Sequence, residues 1–238
     1  MRTLLFWIGF ILVLPQALWV RKTAPRTPAA DGPRRAGPEG QPDLNLLGLG
    51  DSIIDGVGVS HSTEALTAQL ADSLQQQGYA TAWTALGESG SRTARIATLL
   101  DNLPQTPFGL VVISAGVNDV TGLTGRSTFL NAVDTIARRL QQHSPDAQVL
   151  LLGVPPMWRF PALPQPLRWV IGQRARLVQT WGRQAADRAG WRFVPSEFEP
   201  RPEEFAADGY HPNADAIKRW AASIAEEVEP AQRAPRAP

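Results

Sequence analysis

Residues 44–52 read LNLLGLGDS, an apolar run that stops at a glycine, an aspartate and a serine. Two similar runs, LVVIS at residues 110–114 and VLLLG at residues 149–153, also end at small or turn-forming residues. Continuous apolar sequence without alternation is typical of parallel strands that are buried on both faces. Weaker strand patterns at residues 79–86 and 191–194 raise the predicted number of strands to five.

Helical patterns lie between these strands. Residues 62–77 carry apolar side chains at helical spacing, and Gly78 follows as a C-cap. Residues 126–142, 165–189 and 213–228 are further predicted helices. Because parallel neighbours need crossover connections, the alternation predicts the α/β class, as a three-layer sandwich with a five-stranded parallel sheet and helices on both faces. In such sheets, ligands bind beyond the carboxyl ends of the strands.

The composition of the 238 residues fits one domain with appendages. Hydrophobic residues make up 43% and charged residues 19%, which is enough for a core and excludes a wholly disordered chain. Residues 44–229 carry a net charge of −4, whereas residues 1–43 and 230–238 carry +3 and +2. Since the positive excess lies outside the predicted domain, we expect no nucleic-acid partner. The absence of cysteine excludes disulfides, Cys-ligated zinc and iron–sulfur clusters.

The N-terminal segment is strongly apolar. Residues 4–20 contain no charge and reach the lower limit of length for a membrane-spanning helix, so we expect residues 1–22 to form a single-pass membrane anchor. A signal peptide cleaved after residues 1–17, which would make the protein secreted or periplasmic, is the alternative. A helix buried in the core fits less well because the segment has no polar face. The basic residues within 21–35 favour a cytoplasmic domain.

Two segments lack any apolar periodicity. Residues 23–43 are rich in proline, glycine, alanine and arginine, which predicts a disordered tether, and residues 230–238 form a similar predicted tail. The folded domain is therefore expected over residues 44–229.

Polar residues follow three of the predicted strands. Ser52 follows the first strand, where its hydroxyl can act as a nucleophile or simply cap the next helix. The GESG sequence at residues 87–90 offers either backbone N–H groups that a ligand can approach closely or a plain turn. Asn118, in GVND at residues 116–119, can donate its amide to developing negative charge or occupy an ordinary turn.

The segment DGYHP at residues 208–212 precedes the last predicted helix. A serine hydroxyl needs a general base with a pKa near the working pH, and histidine has one. Of the three histidines, His61 and His143 lie in hydrophilic stretches that are typical of the surface. His211 remains, and Asp208 is close enough in sequence to hold its other ring nitrogen.

These residues together predict a site for acyl transfer chemistry. Ser52, Asp208 and His211 supply a nucleophile, an orienting carboxylate and a base. The backbone N–H groups of Ser52 and Gly90 and the side-chain amide of Asn118 supply three candidate donors to an oxyanion.

The order of the four motifs resembles that of a known family, the SGNH hydrolases, also called GDSL-type esterases and lipases. The resemblance spans roughly residues 44–228 and implies a flavodoxin-like sheet and ester hydrolysis without metal or cofactor. The four residues after which the family is named correspond here to Ser52, Gly90, Asn118 and His211. The third member of the family's triad corresponds to Asp208. The sequence departs from the family where isoleucine follows Ser52 instead of leucine, and where no asparagine precedes the glycine block.

The sequence therefore predicts a serine esterase that acts through an acyl-enzyme on short-chain acyl or acetyl esters. Acyl transfer, or lysophospholipase or thioesterase activity at the same site, is an alternative, and so is a catalytically silent, membrane-tethered binding module. The apolar, proline-rich loop at residues 154–161 can line the acyl site through Trp158 and Phe160, or merely pack over the neighbouring helices.

Other enzyme classes lack their motifs. The chain has no G-x-S-x-G or H-E-x-x-H sequence, and neither a P-loop nor G-x-G-x-x-G follows a predicted strand. Asp51, Asp55 and Asp119 do not have the spacing of a multidentate metal site, so we expect capping or surface roles for them and no metal or cofactor.

Overall fold

The computed structural model of the protein describes residues 2–196 and 201–229. The strands are β1 (Arg35–Ala36), β2 (Leu44–Gly50), β3 (Thr81–Gly87), β4 (Leu110–Ser114), β5 (Gln148–Leu152) and β6 (Arg192–Val194). The α-helices are α1 (Arg2–Thr23), α2 (Ser52–Asp55), α3 (Leu66–Gln76), α4 (Thr93–Leu99), α5 (Val117–Thr121), α6 (Arg126–His143), α7 (Leu167–Ala189) and α8 (Ala214–Glu226). Short 3₁₀ turns occur at Ser62–Glu64, Leu100–Asn102, Met157–Arg159 and Pro202–Glu204.

The strands form one sheet in the order β1-β3-β2-β4-β5-β6. Strands β2 to β6 pair in parallel, and β1 pairs antiparallel with β3. The predicted α/β sandwich with five parallel strands is thus confirmed. The sixth strand, β1, has only two residues, too few for any apolar pattern to reveal it in the sequence.

Successive residues of the central strands supply two separate cores. Leu46 and Leu110 face a cluster with α3 and α8, whereas Leu47 and Val111 face a cluster with α4, α6 and α7. The side chains of β4 are buried throughout, which explains why its sequence does not alternate. The helices thus cover both faces of the sheet, and the strand ends with the polar motifs remain accessible at one edge.

Helix α1 packs against α7. Phe6 and Val13 are 3% and 4% exposed in a cluster with residues of α7, so apolar side chains in this segment are used for packing. Among the described residues, no helix is long and apolar enough to cross a membrane. The single-pass anchor predicted at residues 1–22 is therefore wrong. The membrane partner and the cytoplasmic orientation inferred from residues 21–35 depended on that anchor and are not supported.

Part of the segment predicted as a disordered tether, residues 23–43, contacts the domain. Arg34 forms an ion pair with Asp55 at 2.8 Å, and β1 adds to the edge of the sheet. These contacts use charge and backbone hydrogen bonds, which leave no periodic signal in the sequence. The predicted tail at residues 230–238 lies outside the described residues.

Candidate active site

The turn after β2 places Ser52 at the carboxyl edge of the sheet. A side chain at Gly50 would put its Cβ 2.3 Å from the carbonyl oxygen of Ser114, so only glycine allows the two strands to end this close together. Asp51 is the N-cap of α2 and accepts hydrogen bonds from the N–H of Ile53, at 3.3 Å, and from the hydroxyl of Ser114, at 3.0 Å. Ser52 is the first residue of α2 and borders a cavity.

A chain of hydrogen bonds joins Ser52 to residues near the C-terminus. The Nε2 atom of His211 lies 2.9 Å from Oγ of Ser52, and its Nδ1 lies 2.7 Å from Oδ2 of Asp208. The other carboxylate oxygen, Oδ1, accepts hydrogen bonds from the N–H groups of Tyr210, at 2.8 Å, and His211, at 3.0 Å. The segment DGYHP therefore folds around the carboxylate and fixes the imidazole between it and the serine.

Hydrogen bonds stabilise the ionised form of Asp208. Burial raises the pKa of this carboxyl, but the hydrogen bonds from the His211 side chain and from the two backbone N–H groups outweigh burial and hold the pKa below its usual range. An ionised carboxylate only accepts hydrogen bonds, so Nδ1 of His211 carries the proton. Nε2 is then left as an acceptor, which is the tautomer that can take a proton from Ser52.

Asp51 has the opposite electrostatic character. Burial raises the pKa of its carboxyl to about 6, although the hydrogen bonds from Ser114 and Ile53 and the nearby His211 act to lower it. The side chain is 1% exposed, so its ionised form is costly.

Three groups near this hydrogen-bond chain are candidate donors to an oxyanion. The N–H of Ser52 lies at the first position of α2, where no intrahelical acceptor exists. Asn118 donates one amide hydrogen to the carbonyl oxygen of Ser91, at 3.0 Å, which orients the side chain and leaves the second hydrogen for a ligand. Gly90 and Asn118 line a neighbouring cavity, and Asn118 also lines the cavity that Ser52 borders.

The two glycines of the GESG block have different surroundings. A Cβ at Gly87 would lie 2.4 Å from the backbone nitrogen of Asp55, so this glycine is required for packing of β3 against α2. Gly90 has a φ of +78°, and a Cβ there would meet nothing within 4 Å. The positive φ, and not close packing, therefore favours glycine at this position.

Buried interactions hold α5, the helix that carries Asn118. Asp119 is fully buried and accepts hydrogen bonds from the backbone N–H of Thr93, at 3.0 Å, and from its hydroxyl, at 2.7 Å. Arg174, which is 4% exposed, donates to the carbonyl oxygen of Thr124 at 2.7 Å, just beyond the helix. These contacts fix the middle of α5 and the turn that follows it.

An apolar cavity of about 250 Å³ adjoins Ser52 and His211. Phe160 and Met157 are part of its wall. Trp158 does not line this cavity; its ring lies 4.5 Å from a guanidinium of α7. The 3₁₀ turn at Met157–Arg159 directs these neighbouring side chains to different sides, which the sequence does not indicate.

Thr27 is a site residue that the sequence analysis misses. Its hydroxyl donates to Oδ2 of Asp208 at 2.8 Å, across 181 positions of sequence. The surrounding residues, PRTP, have the composition of a flexible segment and carry no motif. Only the three-dimensional structure brings this hydroxyl to the carboxylate.

The acidic residues near the site have other partners. Asp51 caps α2, Asp55 pairs with Arg34, and Asp119 binds Thr93; Asp51 and Asp119 are buried rather than on the surface. Over residues 2–196 and 201–229, no group of three or more histidine or acidic side chains is arranged to hold a metal ion.

The sequence of the site matches a known family. The model of the GDSL-like lipase/acylhydrolase family matches residues 49–218. The chain belongs to this family. The resemblance to SGNH hydrolases is therefore confirmed, and the protein is an ester hydrolase. Residues 2–48, which include α1 and Thr27, lie outside the matched region. No curated protein matches the chain significantly.

Several solved structures share the fold of this GDSL-like hydrolase. TesA is 25% identical, with a TM-score of 0.60 over 77% of this chain and 96% of that one. The psychrotrophic esterase EstA from Pseudoalteromonas sp., solved with monoethylphosphonate as inhibitor, is 17% identical, with a TM-score of 0.61 over 78% and 96%. A carbohydrate esterase family 2 enzyme from Corynascus thermopiles (Myceliophthora fergusii) is 18% identical, with a TM-score of 0.63 over 82% and 67%.

Proposed function

We propose that the protein is a serine esterase that cleaves short-chain carboxylic esters through an acyl-enzyme, with Ser52 as nucleophile, His211 as general base and Asp208 as orienting carboxylate. The observation that carries this proposal is the hydrogen-bond chain from Ser52 through His211 to Asp208, with distances of 2.9 and 2.7 Å. It has the geometry that nucleophilic catalysis by serine requires.

In the first half of the reaction, Oγ of Ser52 forms a bond to the ester carbonyl carbon while its proton passes to Nε2 of His211. The carbonyl oxygen becomes negatively charged and is stabilised by the N–H groups of Ser52 and Gly90 and the amide of Asn118. The carbon–oxygen bond to the alcohol then breaks. The proton on Nε2 passes to the departing oxygen, which leaves the acyl group on the serine.

In the second half, water replaces the alcohol. Nε2 of His211 takes a proton from the water, whose oxygen attacks the acyl carbon, and the same donors stabilise the second tetrahedral intermediate. Breakage of the bond to Ser52 releases the carboxylic acid and returns the proton to the serine. Asp208 remains ionised throughout and stabilises the imidazolium formed in each half.

The preference for short acyl groups is supported by the cavity beside Ser52. Its volume of about 250 Å³ is below the usual range of about 300–1,000 Å³ for ligand pockets. Its apolar walls favour an acyl chain over a polar group.

The proposal is tested with p-nitrophenyl acetate and the full chain. We expect Ser52→Ala to abolish hydrolysis and to prevent the mass increase that an organophosphonate ester produces on the active serine, with an unchanged circular dichroism spectrum. Ser127→Ala is the matched control, because Ser127 lies on the exposed surface at the start of α6. Undiminished hydrolysis by Ser52→Ala would refute the assignment of the nucleophile.

A further inference from the structure

A second, larger apolar cavity adjoins the candidate active site. Its volume is about 540 Å³, and we name it the α1 chamber because helix α1 forms one side of it. Gly90 and Asn118, two of the candidate oxyanion donors, lie in its wall. The apolar side chains that line it from α1 and α7 are Phe10, Leu14, Ala17, Leu18, Leu167 and Ile171.

The α1 chamber adjoins the smaller cavity beside Ser52. The residues that border both are Ala24, Asn118, Thr121, Leu163 and Tyr210. A ligand whose carbonyl oxygen reaches Asn118 therefore lies at the junction of the two cavities. A group attached to that carbonyl can extend into the chamber and remain in contact with the protein.

Specific contacts hold α1 in this position. The side chain of Gln16 donates to the carbonyl oxygen of Gln165 and accepts from the N–H of Leu167, each at 2.9 Å. The guanidinium of Arg174 lies 5.1 Å from the ring centre of Phe6, within the range of a cation–π contact. The helix is thus bound to the start and the middle of α7 by directional contacts as well as by apolar packing.

The opposite wall contains a strained residue. Leu123 has a φ of +56°, in the left-handed region that residues other than glycine, asparagine and aspartate seldom adopt. Its side chain lines the α1 chamber. Arg174 donates to the carbonyl oxygens of Val120 and Thr124, on either side of Leu123, and so holds the strained turn in place. Strain of this kind is typically retained at ligand sites.

We propose that the α1 chamber binds the hydrocarbon chain of the ester substrate, so that the N-terminal helix is part of the substrate-binding site. This inference rests on the esterase activity proposed above and adds to it the class of group that the substrate carries. This hydrocarbon chain is part of either the alcohol or the acyl group of the ester. In both cases its apolar carbons contact the same side chains of α1 and α7.

The effect is measurable as a chain-length dependence. Burial of a methylene group favours binding by at most about fourfold, and a chain that leaves part of its surface in water gains less. We therefore expect kcat/KM to rise by about twofold to fourfold per added methylene until the chamber is filled. A chain that stays in solvent would give a flat series.

Two substrate series distinguish the side that carries the chain. The first keeps the acetyl group and lengthens the alcohol from ethyl to decyl; the second keeps p-nitrophenol and lengthens the acyl group from acetyl to decanoyl. Each series is normalised to its shortest member, so that the slope, rather than the absolute rate, is compared. The series that rises identifies the group that enters the chamber, and a rise in the acyl series would also refute the preference for short acyl groups proposed above.

Variants of α1 connect the slope to the chamber. Ala17→Trp fills it, and Leu18→Asp, at a side chain that is 57% exposed, makes its wall polar without disturbing a buried position. The matched controls are Leu12→Trp and Leu12→Asp, since Leu12 is 78% exposed on the same helix and does not line the chamber. We expect both chamber variants to flatten the rising series and both controls to preserve it.

The outcomes separate this inference from the proposed function. Flat series in the wild type, or slopes that the chamber variants share with the controls, would overturn the role of α1 while ester hydrolysis stands. Absence of turnover for every ester in both series would refute the proposed function itself.

Discussion

Replacement of Thr27 by valine isolates the contribution of the N-terminal segment to the hydrogen-bond chain. Valine has nearly the same shape as threonine but cannot donate the 2.8 Å hydrogen bond to Oδ2 of Asp208. The Asp208 side chain is 2% exposed, so water does not readily take the place of the lost donor. The same oxygen accepts the hydrogen bond from Nδ1 of His211, and the loss therefore affects the group that holds the imidazole.

The expected loss of activity in Thr27→Val depends on how many hydrogen-bond donors the carboxylate of Asp208 keeps. A hydrogen bond to a charged group contributes about 1.5–3 kcal/mol. Since the carboxylate of Asp208 keeps its bonds from Tyr210 and His211, we expect a loss near the lower limit, about 1.5 kcal/mol in the transition state, or roughly a tenfold decrease in kcat. Thr27 acts through Asp208, so KM should change little.

Steady-state kinetics with p-nitrophenyl acetate measure this effect, with Thr27→Ser as the conservative variant that keeps the hydroxyl. Thr23→Val is the matched control, because the hydroxyl of Thr23 donates to the carbonyl oxygen of Trp19 at the end of α1. Equal kcat for Thr27→Val and Thr27→Ser, or a loss confined to KM, would refute a positioning role for Thr27.

Two further predictions concern the oxyanion donors and the buried carboxyl. Asn118→Ala should lower kcat by about 100-fold to 1,000-fold, and a loss below about tenfold would assign Asn118 a structural role. Asp51 has a pKa of about 6 in the folded protein, above its value in the unfolded chain, so the protonated form favours folding: its stabilising effect is complete below about pH 4 and is lost as the pH rises through 6. The unfolding free energy of Asp51→Asn relative to wild type, measured in urea at several pH values, should therefore increase over this window by on the order of 2–3 kcal/mol; parallel curves would contradict the assignment.

The sequence was sufficient to predict the sheet and the position of its polar edge. Buried parallel strands such as β4 produce uninterrupted apolar runs, and the motif residues follow directly after them. Ser52 and His211 could be selected because the roles of nucleophile and general base each require a particular side chain in a particular sequence context. Few other residues in the chain meet those requirements. Local signals of this kind do not depend on knowing which distant segments touch.

The environment of the N-terminal segment could not be predicted, because it depends on contacts with distant segments. The hydrophobicity of residues 4–20 measures how apolar the segment is, but not which surface covers it, and packing of Phe6 and Val13 on α7 was therefore mistaken for insertion into lipid. The contact of Thr27 with Asp208 depends on a single hydroxyl in a segment without periodicity. Trp158 and Phe160 are likewise equivalent in sequence and are separated only by a 3₁₀ turn.

Strand β1 has a consequence for the behaviour of the protein at high concentration. It covers the backbone of β3 at Trp83 and Thr84, where a parallel sheet would otherwise offer free N–H and carbonyl groups to a strand from another molecule. Pro33 and Pro38 lie on either side of β1 and limit its extension, since proline provides no N–H donor. At the far edge, β6 is only three residues long and carries an exposed arginine. Both borders of the sheet thus discourage edge-to-edge aggregation.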